Sequence, residues 1–142
     1  MKVRAVDKGS TAGERAGMLL NLTYVALGGA LGAVLRYLTG LGVLRLVGPG
    51  FPFGVVTVNI VGSFLMGVFV VFAYRKGFEH LSPLVMVGFL GGFTTFSAFS
   101  LEAVTLFEKG ETSAAVAYIA LSVVGSIGAL ILGLWLARGL WA

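Results

Sequence analysis

Five polar residues recur at helical spacing inside stretches that carry no charge. Asn59 and Ser63 stand four residues apart and therefore share one face of a helix. Tyr118, Ser122 and Ser126 precess by about 40° at each step and fall within roughly 80° of arc. A second group, Thr94, Thr95, Ser97 and Ser100, interleaves with Phe93, Phe96 and Phe99. Phenyl edges are electropositive. Amide N–H, hydroxyl O–H and ring edges together can replace part of the hydration shell of a small anion, with no fixed cation to trap it. Two plainer readings stand beside this one. The Asn and Ser stripes also suit interhelical hydrogen bonding, and Phe89, Phe93, Phe96 and Phe99 also suit an apolar packing stripe.

The backbone is a further source of chemistry. Gly91, Gly92, Phe93, Thr94 and Thr95 form a cluster poor in helix formers, which predicts a broken helix. A break within a membrane leaves carbonyl and N–H groups that protein, water or an ion must satisfy. Carbonyls there could hold a cation, and a glycine kink with local compensation is the alternative. Arg36, Glu102 and Arg45 lie toward the ends of apolar spans, where Arg36 either draws anions into a vestibule or snorkels to the interface. Catalysis has little to stand on: the only histidine is His80 in a loop, the only aspartate is Asp7 near the N-terminus, and cysteine is absent. No triad, carboxylate pair or metal cluster can be assembled from these, so an enzyme is not expected.

The elements that must position these residues follow from composition. The 142 residues are 58% hydrophobic and 11% charged, with mean hydropathy +1.00, whereas soluble domains carry roughly 25% charged residues. Stretches free of Asp, Glu, Lys and Arg run over 16–35, 46–74, 81–101 and 112–137, and the shortest of them has 20 residues. About 20 helical residues cross a hydrocarbon core. Four transmembrane helices result, the third broken at mid-membrane, in an all-α membrane protein surrounded by lipid bilayer. The first helix is expected from about Met18 to Tyr37, continuing toward Arg45, and Gly48, Pro49, Gly50 and Pro52 punctuate the chain after it. Residues 1–17 read as a flexible basic tail and 18–142 as the transmembrane domain. The first apolar run is too long for a signal peptide, so it is read as retained. Small residues at four-residue spacing, such as Gly28 with Gly32, Ser63 with Gly67, and Gly125 with Ala129 and Gly133, predict close helix contacts.

With 10 Lys and Arg against 6 Asp and Glu the net charge is +4, but the basic residues flank spans instead of forming a patch, so no nucleic-acid partner is expected. An even number of spans puts seven basic residues on the side of the termini (Lys2, Arg4, Lys8, Arg15, Arg75, Lys76, Arg138) and two, Arg45 and Lys109, opposite, which favours cytoplasmic termini. An anion channel, a proton-coupled small-molecule exporter and a noncatalytic membrane subunit all fit such a chain. Proton coupling normally wants an acidic residue deep in a helix, and Glu14 precedes the first span.

Three segments together resemble the Fluc (CrcB) fluoride channels: GGALGAVLRY at 28–37, VNIVGSFLMG at 58–67 and GFLGGFTTFSAFSLE at 88–102. The resemblance implies passive efflux of cytoplasmic fluoride through the inner (plasma) membrane. It implies an antiparallel, dual-topology homodimer with two pores and a central structural sodium ion. Asn59 matches the pore asparagine, Phe96 and Phe99 the paired pore phenylalanines, and Tyr118, Ser122 and Ser126 the pore-facing stripe. Backbone carbonyls around Gly91 and Thr94 match the sodium site, and Arg36 and Glu102 match vestibular or pore-end positions. Two departures are visible: Ala98 stands where the motif usually has Thr, and a long basic tail precedes the first helix.

Overall fold

The computed structural model describes residues 12–141. Its elements are α1 (Ala12–Val47), α2 (Phe53–Lys76), a 3₁₀ turn (Glu79–Leu81), a π-helical segment (Pro83–Leu90), α3 (Gly91–Phe93), α4 (Phe96–Glu108) and α5 (Thr112–Leu140). The π-helical segment, α3 and α4 together make one span, so four helical spans are long and apolar enough to cross a membrane. Even the most apolar stretch of each is at most 28% buried within the chain. Such helices are hydrophobic all round because most of their surface meets lipid. The protein is a multi-pass membrane protein.

Helix α1 starts at Ala12, six residues before the expected Met18, and runs on past Arg45 to Val47. Residues 12–17, read from the sequence as tail, are therefore helical, with Glu14 in the first turn. The rest of that expected tail, 1–11, lies outside the described residues. Helix α2 stops where Arg75 and Lys76 suggest. Gly77 takes a left-handed conformation (φ 74°) that lets its N–H and that of Phe78 both return to the Ala73 carbonyl.

Two close seams hold the spans together. Along the first, α1 lies on the π-helical segment, and a Cβ added to Gly28 or Gly32 would sit 2.2 Å from the Leu84 carbonyl oxygen or 2.1 Å from that of Phe89. Along the second, α2 runs beside α5. Cβ atoms on Gly67 and Gly133 would fall 2.4 Å from the Leu130 oxygen and 2.3 Å from the Phe64 oxygen. Backbones this close need residues without side chains, which is the contact expected from the small-residue spacing.

The third span departs from the sequence reading in two ways. Its first half is π-helical, with the Gly91 N–H reaching back five residues to the Met86 carbonyl. Its break is narrower than the Gly91–Thr95 cluster: Gly91–Phe93 are helical, and only Thr94 (φ −82°, ψ 159°) and Thr95 (φ −152°, ψ 125°) are extended. Gly92 serves close approach instead, since a Cβ there would lie 2.6 Å from the Gly29 oxygen.

Candidate functional site

The two extended residues are held from α2. Asn59 Nδ2 donates to the Thr95 carbonyl at 2.9 Å, and the Thr95 N–H donates to Asn59 Oδ1 at 2.8 Å. One side-chain amide thus pairs with both polar groups of one residue, as a neighbouring strand would. In an unbroken helix the Thr95 N–H would bond to Gly91, four residues back. Its diversion to Asn59 leaves the Gly91 carbonyl without that donor. Thr95 Oγ1 then caps α4 by accepting from the Ala98 N–H at 3.2 Å. Below the break, Gly62 makes room: a Cβ there would come within 2.3 Å of Thr94 Cγ2.

The hydroxyls around the break divide by use. Thr94 Oγ1 donates to the Leu90 carbonyl and Ser100 Oγ to the Phe96 carbonyl, each at 2.9 Å, so both are spent within their own span. Ser122 Oγ and Ser126 Oγ are buried and make no hydrogen bond of ordinary geometry within the chain, Ser122 lying beside the Tyr118 hydroxyl. Both serines line one cavity of about 360 Å³ together with Asn59, Thr95, Phe96 and Phe99. Ser63, Met66 and Thr94 also contribute to its wall, and no charged side chain does. Five of the six residues assigned to an anion pathway on sequence therefore meet at one cavity, which belongs to the seam of α2, α4 and α5.

The sixth, Tyr118, sits deeper. It is fully buried, its ring stacked on Phe99 (5.4 Å between centroids) and met edge-on by Phe51 at 5.8 Å. Its hydroxyl donates to Glu102 Oε2 at 2.8 Å. Phe96 and Phe99 have centroids 5.3 Å apart but opposite surroundings: Phe99 is buried beside Tyr118, whereas Phe96 is 78% exposed in the single chain. Glu102 and Arg36, paired in the sequence reading as vestibular, line a second cavity of about 240 Å³ with Phe51 and Phe53. Arg36 also reaches the break from the α1 side, where Nη1 donates to the Thr94 carbonyl at 3.5 Å. Gly62 and Phe51 are contributors that the sequence did not single out. Their roles depend on contacts between different spans, Gly62 with Thr94 and Phe51 with Tyr118, which no helical period carries.

Among the described residues no group of three His, Cys, Asp or Glu is placed to hold a metal. Backbone oxygen is the ligand type on offer, at Gly91, which lacks its helical donor, and at Thr94, whose oxygen has only the long Arg36 contact given above.

The sequence matches the family described as "CrcB-like protein, Camphor Resistance (CrcB)" over residues 23–134. A protein of Ruegeria sp. (strain TM1040) named "Fluoride-specific ion channel FluC" is 65% identical over 123 residues, covering 86% of this chain and 98% of that protein. Proteins of the same name from Roseobacter denitrificans and Mesorhizobium japonicum are 58% and 53% identical over 123 residues, covering 85% and 86% of this chain and 98% and 99% of theirs. The match reaches into all four spans and includes every element that builds the cavity, so the chain belongs to the CrcB family.

Proposed function

We propose that the protein is a fluoride channel that allows passive efflux of fluoride from the cytoplasm through the inner (plasma) membrane. The observation that carries the reading is the cavity in which Ser122 and Ser126 hydroxyls are buried without a hydrogen bond of ordinary geometry. An orphaned buried hydroxyl costs about 1–3 kcal/mol, and a permeating anion is the partner that two such donors in one uncharged cavity would suit. Asn59 Nδ2 keeps a second hydrogen beyond its clasp on Thr95, the ring edges of Phe96 and Phe99 are electropositive, and α4 presents its positive N-terminal end at the same place. These are donors without a formal charge, which favours transit over trapping. The relatives' names, which specify fluoride, support the choice of ion.

The active form in this reading is an antiparallel homodimer of dual topology. The exposed Phe96 and the open cavity support it, because a second copy would cover both. A structural sodium ion at the dimer centre fits the donor set: the Gly91 and Thr94 carbonyls of both chains would supply four hard oxygens to a hard monovalent cation. Bound there, the ion would satisfy backbone oxygens that lipid cannot. The basic residues, seven against two, oppose equal insertion in both orientations, so topology calls for a direct test.

Purified protein in liposomes loaded with fluoride gives the main experiment. Efflux that requires only a charge-compensating ionophore and excludes chloride is expected. Efflux that requires a proton gradient would point to an exporter, and no efflux to a noncatalytic subunit. For topology, the sequence contains no cysteine, so single-Cys variants need no prior removal of native thiols. Labelling of one loop from both sides of the membrane is expected, and labelling from one side only would reject dual topology. Exhaustive replacement of sodium by a large organic cation is expected to lower thermal stability and efflux, and no change in either would reject the ion.

A further inference from the structure

A crevice of about 270 Å³ lies between the C-terminal ends of α2 and α5, away from the cavity described above. Its lining is Val70, Val71, Tyr74 and Arg75 from α2, with Leu134 and Arg138 from α5. Two guanidinium-bearing side chains thus share one crevice, and no carboxylate is among its lining residues. Both arginines are exposed, so each guanidinium can reach an anion seated in the crevice. The helices that carry the two arginines are fixed against each other. The two helices touch backbone to backbone at Gly67 and Gly133, and Trp141 packs on Phe72 with ring centroids 5.2 Å apart, fixing the end of α5 against α2.

Depth identifies the anion. Gly62 packs against the break, and Gly125 faces Ile60 on the neighbouring turn, so these two glycines mark nearly one level. Arg75 and Arg138 each lie 13 residues further along their helices, or about 20 Å at roughly 1.5 Å per residue. With the break at mid-membrane, that distance passes the hydrocarbon edge at about 15 Å and falls in the headgroup layer. The surroundings agree. Tyr74 and Trp135 are 76% and 69% exposed, as interfacial aromatic residues are. Arg138 also lines a neighbouring crevice with Trp135, Leu136 and Leu140, and Val70, Val71 and Leu134 floor the first. Helix C-termini favour nearby cations, which explains why each arginine is tolerated but not why both face one crevice with an apolar floor. We infer that this crevice binds an anionic phospholipid, its phosphodiester bridging Arg75 and Arg138 and its acyl chain lying along Val70, Val71 and Leu134. The inference requires only that the chain spans a membrane, and it stands or falls separately from the ion conducted.

Native mass spectrometry of the purified full chain, with phosphatidylglycerol or phosphatidylcholine of identical acyl chains added, tests the site. Each basic residue at a membrane surface contributes roughly fivefold to anionic-lipid affinity, so a preference for phosphatidylglycerol of roughly 25-fold is expected. Arg75→Gln with Arg138→Gln should reduce it to near parity, each single variant should lose roughly fivefold, and Arg45→Gln at the opposite membrane face should keep it. Thermal unfolding in detergent shows that each variant is folded, and the single variants decide the matter if the double variant is not. Retained preference in the folded variants, or an equal loss in Arg45→Gln, would overturn the site. Displacement of phosphatidylglycerol by millimolar inorganic phosphate would also overturn it, since the site would then serve free phosphate.

Discussion

Asn59→Ala removes both hydrogen bonds that hold the break while leaving a residue well suited to helix α2. The Thr95 N–H and carbonyl, bonded at 2.8 and 2.9 Å in the native protein, lose their side-chain partner beside a cavity in which water replaces only part of what is lost. Each unsatisfied buried group costs about 1–3 kcal/mol, so an intact break would cost about 2–6 kcal/mol. The chain can reduce this by returning the Thr95 N–H to the Gly91 carbonyl, which rebuilds the helix and erases the extended pair Thr94–Thr95. Either outcome damages the cavity. Thermal unfolding of the purified variant is expected to drop by several degrees, and fluoride efflux from liposomes by tenfold or more. Asn59→Asp separates the two roles, because it keeps an acceptor for the Thr95 N–H but sets a carboxylate against the Thr95 carbonyl and the permeating anion. At about 4 Å and an effective dielectric near 20 the repulsion of the anion is about 4 kcal/mol, roughly a thousandfold in rate. An Asn59→Ala protein with unchanged unfolding temperature and unchanged efflux would refute the clasp.

Phe96→Ile should slow efflux with little change in the stability of the single chain, because the ring is exposed there, whereas Phe99→Ile should also destabilise the packing on Tyr118. Normal efflux with both replaced in a folded protein would remove the aromatic contribution. Ser122→Ala and Ser126→Ala should leave the unfolding temperature nearly unchanged, since no protein hydrogen bond is lost, while lowering efflux. A loss of more than about 1 kcal/mol in either would show that the hydroxyl bonds a neighbouring helix. Gly133→Ala should cost about 1–3 kcal/mol by forcing α2 and α5 apart, read as a lower unfolding temperature, and an unchanged value would mean that the seam relaxes freely.

Periodicity made the spans and polar stripes readable in advance, because a helix face depends only on spacing within one segment. The charge-free runs mark all four spans, and spacing alone puts the serines of α5 on one face. Helix propensity places the break too broadly, because it cannot see contacts between spans. Gly91 and Gly92 are weak helix formers, yet both stay helical, and Gly92 is the one whose missing side chain lets α1 approach. Thr94 and Thr95 leave the helix because a residue 36 positions earlier captures the Thr95 backbone. The π-helical turns of the same span carry no compositional mark. Residues 12–17 lack an apolar period, so nothing in their composition marks the start of α1 at Ala12.

An uncharged amide is the side chain that can hold this break and still line an anion path. A carboxylate in place of Asn59 would accept from the Thr95 N–H but repel the carbonyl beside it and any anion in the cavity. A guanidinium would donate to the carbonyl and leave the N–H unpaired, and at about 4 Å its charge would hold a passing anion by about 4 kcal/mol, slowing release roughly a thousandfold. The amide supplies one donor and one acceptor to Thr95 and retains one N–H for a third partner. The guanidinium that does reach the break, Arg36, approaches from the α1 side, contacts the Thr94 carbonyl and lines the cavity it shares with Glu102. Charge and neutral donors therefore occupy different cavities on different sides of two extended residues, and the cavity with the orphaned hydroxyls is the one lined by no charged side chain.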